Sequence, residues 1–141
     1  MYKNILVAID LSEESSWRKA LPLAIELAKT FGVQLHVTTV VRDIKAIWKT
    51  QYFPLGYEMM IKDAERRLAI LLYENVPHEL RPRSTVGHGG IYAEILRIAR
   101  ETSADLIIMA SHRPEMKDYL IGPNAAKVVR HAACSVLVVR E

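Results

Sequence analysis

At 141 residues the chain is long enough for one well-filled hydrophobic core and too short for two ordinary domains, so a single domain spanning 1–141 is expected. Half of the residues are hydrophobic and a quarter are charged, which excludes a disordered or fibrous protein; the net charge of +3 is spread along the chain without blocks of either sign and gives no ground for nucleic acid as a partner. A single cysteine, Cys134, excludes an internal disulfide, no apolar run is long enough to span a bilayer, and the opening residues carry no leader-like pattern, so a cytoplasmic protein without a membrane partner is expected.

In chain order, Lys3 to Ile9 is an apolar run that suits a strand buried on both faces. From Ser12 onward, Trp17, Ala20, Leu21, Ala24, Leu27, Ala28 and Phe31 fall at helical spacing up to Gly32, a C-terminal cap. Pro22 lies inside that pattern and predicts a kink or loosened turn. Gln34 to Val41 reads as a second strand, and Arg42 to Tyr57, rich in aromatics, is either a surface excursion over core or partner, or a flap over a ligand. A helix is predicted from Glu58 to Glu74 with Met60, Ala64, Leu68 and Leu71 or Leu72 on its inner face and its methionines in the core.

A third strand is predicted at Arg83 to Val86, where Pro82 points to an edge position or a strand start. Gly87, Gly89 and Gly90 lead into a helix carrying Ile91, Ile95, Ile98, Ala99 and Thr102 on one stripe; Asp105 to Ala110 is strand four. Ser111 to Ile121 reads as a loop, Ala125, Val128, Val129 and Ala132 mark a short last helix, and Ser135 to Arg140 is strand five. This alternation predicts an α/β protein, a three-layer open sandwich on a five-stranded, mainly parallel sheet. In such a sheet a ligand crevice opens beyond the carboxyl ends of the strands, here at Asp10 to Glu14, Ala110 to Pro114 and Gly122 to Asn124, with the last helix offering its free amides to a phosphate.

Asn4-Ile5-Leu6-Val7-Ala8-Ile9-Asp10, Gly89 with Ile95-Leu96, Ala104 to Met109, Ala110-Ser111-His112-Arg113 and Val129 to Arg140 together closely resemble the universal stress proteins over nearly the whole chain. The resemblance implies strand order 3-2-1-4-5 and a homodimer joined through the last strand, Ser135 to Arg140; covering an apolar edge strand in this way also removes an aggregation liability. It further implies ATP or a related adenine nucleotide, with or without magnesium, at the carboxyl ends of strands one and four. Asp10 after Ile9 would stand beside the nucleotide, through ribose or metal, and the Val40 backbone would meet the adenine edge.

The nucleotide-binding branch of that family carries Gly-x-x-Gly, about nine residues, and Gly followed by Ser or Thr. Here Ala110 and Arg113 replace the two glycines, the interval to Gly122 is one residue shorter, and Pro123 replaces the hydroxyl residue ahead of Asn124 and Ala125. The Ala-Ser-His-Arg-Pro form resembles a bacterial subgroup for which ATP binding is still implied, and Arg113 suits a phosphate. Pro123 opposes it, having neither a hydroxyl nor a backbone N–H. For Asp10 and Ser12, capping of the first helix is an equal reading, and His112 either touches a phosphate or is solvated. Arg66, Arg67 and the stretch Arg81 to Arg83 read as solvated faces. The expected function is a dimeric, nucleotide-binding stress-response switch with at most slow ATP hydrolysis; the alternative is a dimeric adaptor that binds no nucleotide. No P-loop, catalytic triad or zinc spacing occurs.

Overall fold

The computed structural model describes residues 1–42, 53–111 and 122–140. Within them the chain forms β1 (Asn4–Ile9), α1 (Ala20–Phe31), β2 (Gln34–Arg42), α2 (Phe53–Asn75), β3 (Arg83–Gly89), α3 (Ile91–Glu101), β4 (Leu106–Ser111), α4 (Pro123–His131) and β5 (Ser135–Arg140). The five strands form one sheet in the order β3-β2-β1-β4-β5, and every pairing in it is parallel. Both the α/β class and the expected order 3-2-1-4-5 are therefore met.

A parallel sheet needs cover on both faces, and the alternation along β1 supplies it. Ile5, Val7 and Ile9 pack with Leu21, Ala24 and Ala28 of α1 and Leu68 and Leu72 of α2. Leu6 and Ala8 face the other way, with Ile95 and Ile98 of α3 and Val128 of α4. At its amino end β1 is tied to β4 by Asp105, whose carboxylate accepts the backbone N–H of Lys3 at 2.8 Å and of Asn4 at 3.0 Å.

Several boundaries differ from the sequence expectation. α1 begins at Ala20, after a single 3-10 turn at Glu14–Ser16, so Asp10 and Ser12 do not cap it; its N-cap is Lys19, without a side-chain bond. Pro22 then lies in the first helical turn, where an amide has no helical partner to lose, so the missing N–H costs no bond of the helix and the expected kink has no cause. α2 begins at Phe53 rather than Glu58, with Pro54 tolerated in its first turn for the same reason. Tyr57 is accordingly a buried helical residue, its ring edge-on to His88 at 5.9 Å, while positions 43–52 of the aromatic segment lie outside the described residues.

β3 runs on to Gly89, three residues beyond the predicted end, and it is an edge strand as Pro82 indicated. Gly87 allows α3 a close approach inside it, where a Cβ would meet Ile98 Cδ1 at 3.0 Å, and Gly89 turns the chain at a φ of +122°. Glu94 secures that turn by accepting the His88 N–H at 3.1 Å, and its bonds to Arg97 hold its carboxyl below the usual range.

On β2, His36 Nε2 lies 2.7 Å from Thr85 Oγ1, and burial, helped by Arg83, lowers its pKa from the ordinary histidine value. The unfolded chain then takes up a proton near pH 6.5 that the native state refuses, so this contribution is present above that pH and is lost as pH falls through the folded pKa. Urea unfolding between pH 7.5 and 5 is expected to show the parent losing more stability than His36→Gln, and parallel curves would refute the assignment.

Candidate functional site

β1 lies between β2 and β4, so the chain leaves β1 toward one side of the sheet and later crosses to the other. Loops diverging from that reversal leave a crevice at the carboxyl edge. A cavity of about 630 Å³ occupies it, within the range of small-molecule sites. Its floor is formed by the ends of β1, β2 and β4, one wall by α2 and the loop after β1, and the other by Ile91 and Ile95 of α3 and Asn124 of α4.

Of the predicted site residues, Ile9, Asp10, Val40, Ala110 and Asn124 all line this cavity. Ser111, Gly122, Pro123 and Ala125 flank the lining: Ser111 Oγ accepts the Gly122 N–H at 3.2 Å, Pro123 is the first residue of α4, and Ala125 is buried against the sheet. Two of the amides expected to serve a phosphate are therefore committed or missing, Gly122 to Ser111 and Pro123 for want of a hydrogen. The N–H groups of Asn124 and Ala125, in the first turn of α4, have no partner within the helix. His112 and Arg113 lie outside the described residues.

The loop after β1 is held by a residue the sequence reading passed over. Ser16 Oγ accepts the Asp10 N–H at 2.8 Å and stands within donating distance of the carbonyls of Asp10, at 2.9 Å, and Glu13, at 2.7 Å. Asp10 in turn accepts the Ser12 N–H on Oδ1 at 2.9 Å, an Asx turn that leaves its other oxygen available to the cavity.

The wall from α2 was also missed. Met60, Asp63, Ala64 and Arg67 face the cavity, and Arg67 Nη2 donates to the Leu11 carbonyl at 3.3 Å. Met59 and Met60 are 65% and 40% exposed, so the methionines are not core, as had been expected. Met60 is in phase with buried Ala64 and Leu68, but at its own turn of α2 the side chain lines the cavity. Spacing identified the inner face of this helix and could not show where the sheet beneath it stops.

Among the described residues that line the cavity there is neither cysteine nor histidine. Cys134 is remote from the cavity lining, and burial pushes its thiol up, away from the nucleophilic thiolate. Among the described residues no three His, Cys, Asp or Glu side chains gather as a metal site, and no helix is long and apolar enough to cross a membrane. The arrangement is that of a recess with mixed polar and apolar walls.

Residues 1–140 match the profile of the universal stress protein family. Universal stress protein G of Escherichia coli O157:H7 is 30% identical over 143 residues, covering 99% of this chain and 100% of that protein. Among solved structures, universal stress protein UspA from Lactobacillus plantarum superposes with a TM-score of 0.74 at 24% identity, covering 99% of this chain and 98% of its own. A universal stress protein in complex with cAMP superposes at 0.63 and 20% identity, covering 99% and 97%.

Proposed function

Because the chain belongs to the universal stress protein family, we propose that it is a single-domain binding protein for ATP or a related adenine nucleotide and acts as a dimeric stress-response switch rather than as an enzyme. The observation that carries this reading is the cavity at the reversal of the sheet, lined by Ile9, Asp10, Val40, Ala110 and Asn124. The cAMP complex of a structural neighbour supports the ligand class.

In this reading the adenine edge meets the backbone at Val40, and the free carboxylate oxygen of Asp10 takes a ribose hydroxyl or a magnesium ion. The phosphates turn toward the amides of Asn124 and Ala125, where a helix start favours negative charge, with Ser111, Gly122 and Pro123 around them, and His112 and Arg113 join the site on the sequence resemblance. Self-association through β5 is supported by its place at the sheet edge, with β4 as its one partner and Val136 to Val139 half-buried. A cytoplasmic setting agrees with the single cysteine.

Calorimetric titration of the nucleotide-stripped protein with ATP and magnesium, repeated with ADP, AMP and cAMP, is expected to give a micromolar Kd for ATP. Silence at millimolar concentrations would overturn the nucleotide reading. It would leave the adaptor reading, which the committed Gly122 amide and the donorless Pro123 favour.

A further inference from the structure

The large hydrophobic side chains that this fold leaves in water collect on one helix. Among the described residues, and apart from Met1, those at least half exposed are Met59, Ile70 and Tyr73, all on α2. They stand on the side of the helix opposite buried Ala64, Leu68, Leu71 and Leu72, so packing on the sheet does not account for them. The outward turns of α1, by contrast, carry the ion pair of Glu26 and Lys29.

The residues between them complete a pattern. Gly56, Met59, Asp63, Arg66, Ile70 and Tyr73 follow one another at alternating steps of three and four, the spacing of a seam between two paired helices. The six are also complementary to themselves in reverse order. About a two-fold axis beside Ala64 and Glu65, an antiparallel copy sets Met59 against the partner's Ile70, apolar on apolar, and Asp63 against the partner's Arg66, acid on base. Within one chain Asp63 and Arg66 are already an ion pair with both side chains open to solvent, so at the axis two such pairs meet with opposite signs adjacent. Asp63 stands where the stripe borders the cavity.

The last match is of size. Gly56 is exposed and a Cβ there would meet nothing within 4 Å, so the fold itself does not ask for glycine at this helical position. Opposite it in the antiparallel copy comes the partner's Tyr73, for whose ring the missing Cβ leaves room. The Tyr73 ring is 73% exposed and rests on His78 with centroids 4.7 Å apart, which fixes it before any partner arrives. A parallel copy would instead place Asp63 on Asp63 and Arg66 on Arg66, and like charges reject that arrangement.

We propose that the outer stripe of α2 is a self-association surface, on which two copies of the chain pair antiparallel about the axis beside Ala64 and Glu65. This contact is separate from association through β5, because α2 packs on β2 and β3, toward the other edge of the sheet. It runs along about 26 Å of helix, and one helix pair of that length falls at the low end of interface sizes, so the pairing is weak and depends on concentration.

The test is disulfide trapping in a Cys134→Ser background, with Met59→Cys and Ile70→Cys prepared as separate proteins and oxidised alone and as a mixture. In the antiparallel register the two copies of position 59 stand about 16 Å apart, as do those of position 70, beyond disulfide reach, whereas position 59 faces position 70. The mixture is expected to cross-link about tenfold faster than either variant alone, the advantage of a held neighbour over random encounter. Equal rates in the three samples, or faster cross-linking of one variant with itself, would overturn the pairing. Sedimentation at concentrations up to about 1 mM is expected to give a higher average mass for the parent than for Ile70→Glu, whatever association both keep through β5. Equal masses would overturn the pairing as well. A thermal melt of Ile70→Glu close to that of the parent is expected, since the residue is half exposed and glutamate suits a helix.

Discussion

Val40→Trp is expected to lower ATP affinity about tenfold to a hundredfold while leaving the protein folded. Val40 lies near the carboxyl end of β2, in register with Gly87, half-buried between the α3 side of the core and the cavity. Tryptophan is accepted in a strand, so the backbone position is kept while the larger ring occupies the recess. Fitting a ligand against such an intrusion costs about 1–3 kcal/mol, the scale of overpacking, which converts to the stated loss. Calorimetry with ATP reads the affinity and a thermal melt confirms the fold. Unchanged affinity would remove Val40 from the binding surface and move the ligand elsewhere.

The second large effect is on stability. Leu6 on β1 is fully buried, with Ile95, Ile98 and Val128 in the cluster beneath α3 and α4. Leu6→Ala leaves a cavity enclosed by a central strand on one side and two helices on the other, where little can collapse to fill it. The expected loss is about 3–5 kcal/mol. A protein of this size has only about 5–15 kcal/mol to lose. Urea unfolding would show a lower midpoint at unchanged slope, and a loss below about 1 kcal/mol would mean that the two helices settle onto the sheet more freely than their packing indicates.

Much of this architecture was legible because a sheet buried on both faces writes its strands as unbroken apolar runs. Lys3 to Ile9 stood out for that reason, Gln34 to Val41 and Ser135 to Arg140 as strand-like runs rich in valine, and the glycines before Ile91 marked the turn into α3. The strand order came from resemblance, since periodicity alone does not say which strands are neighbours. Helix starts were misplaced where local chemistry mimicked a cap. Asp10 and Ser12 have the residue types of an N-cap but form an Asx turn, and a 3-10 turn intervenes before Ala20. Pro54 lies just inside the amino end of α2, where a proline reads equally as irregular chain.

The site divided along the same line. Asp10 and Ala110 could be named because topology brings the ends of β1 and β4 to the crevice, whereas Val40 was named from the resemblance. Asp63 and Arg67 could not, because α2 meets the loop after β1 across a long stretch of chain, 56 positions from Arg67 to Leu11, and leaves no periodic trace. Ser16 was hidden differently: its hydroxyl folds back on the loop that precedes it, and nothing in its type separates it from an ordinary solvated serine.

The central strand β1 is the first element of the chain, yet the partner on one of its sides, β4, is clamped to it by Asp105 across 101 positions. During synthesis at about 5–20 residues per second, β4 therefore follows β1 out of the ribosome by roughly 5–20 s. β2 arrives far sooner and seals one side, but until β4 docks, the other edge of a strand buried over five of its six residues is a bare template for foreign backbone. The order in which the strands are sewn together makes the nascent chain, rather than the finished fold, the form most in need of protection.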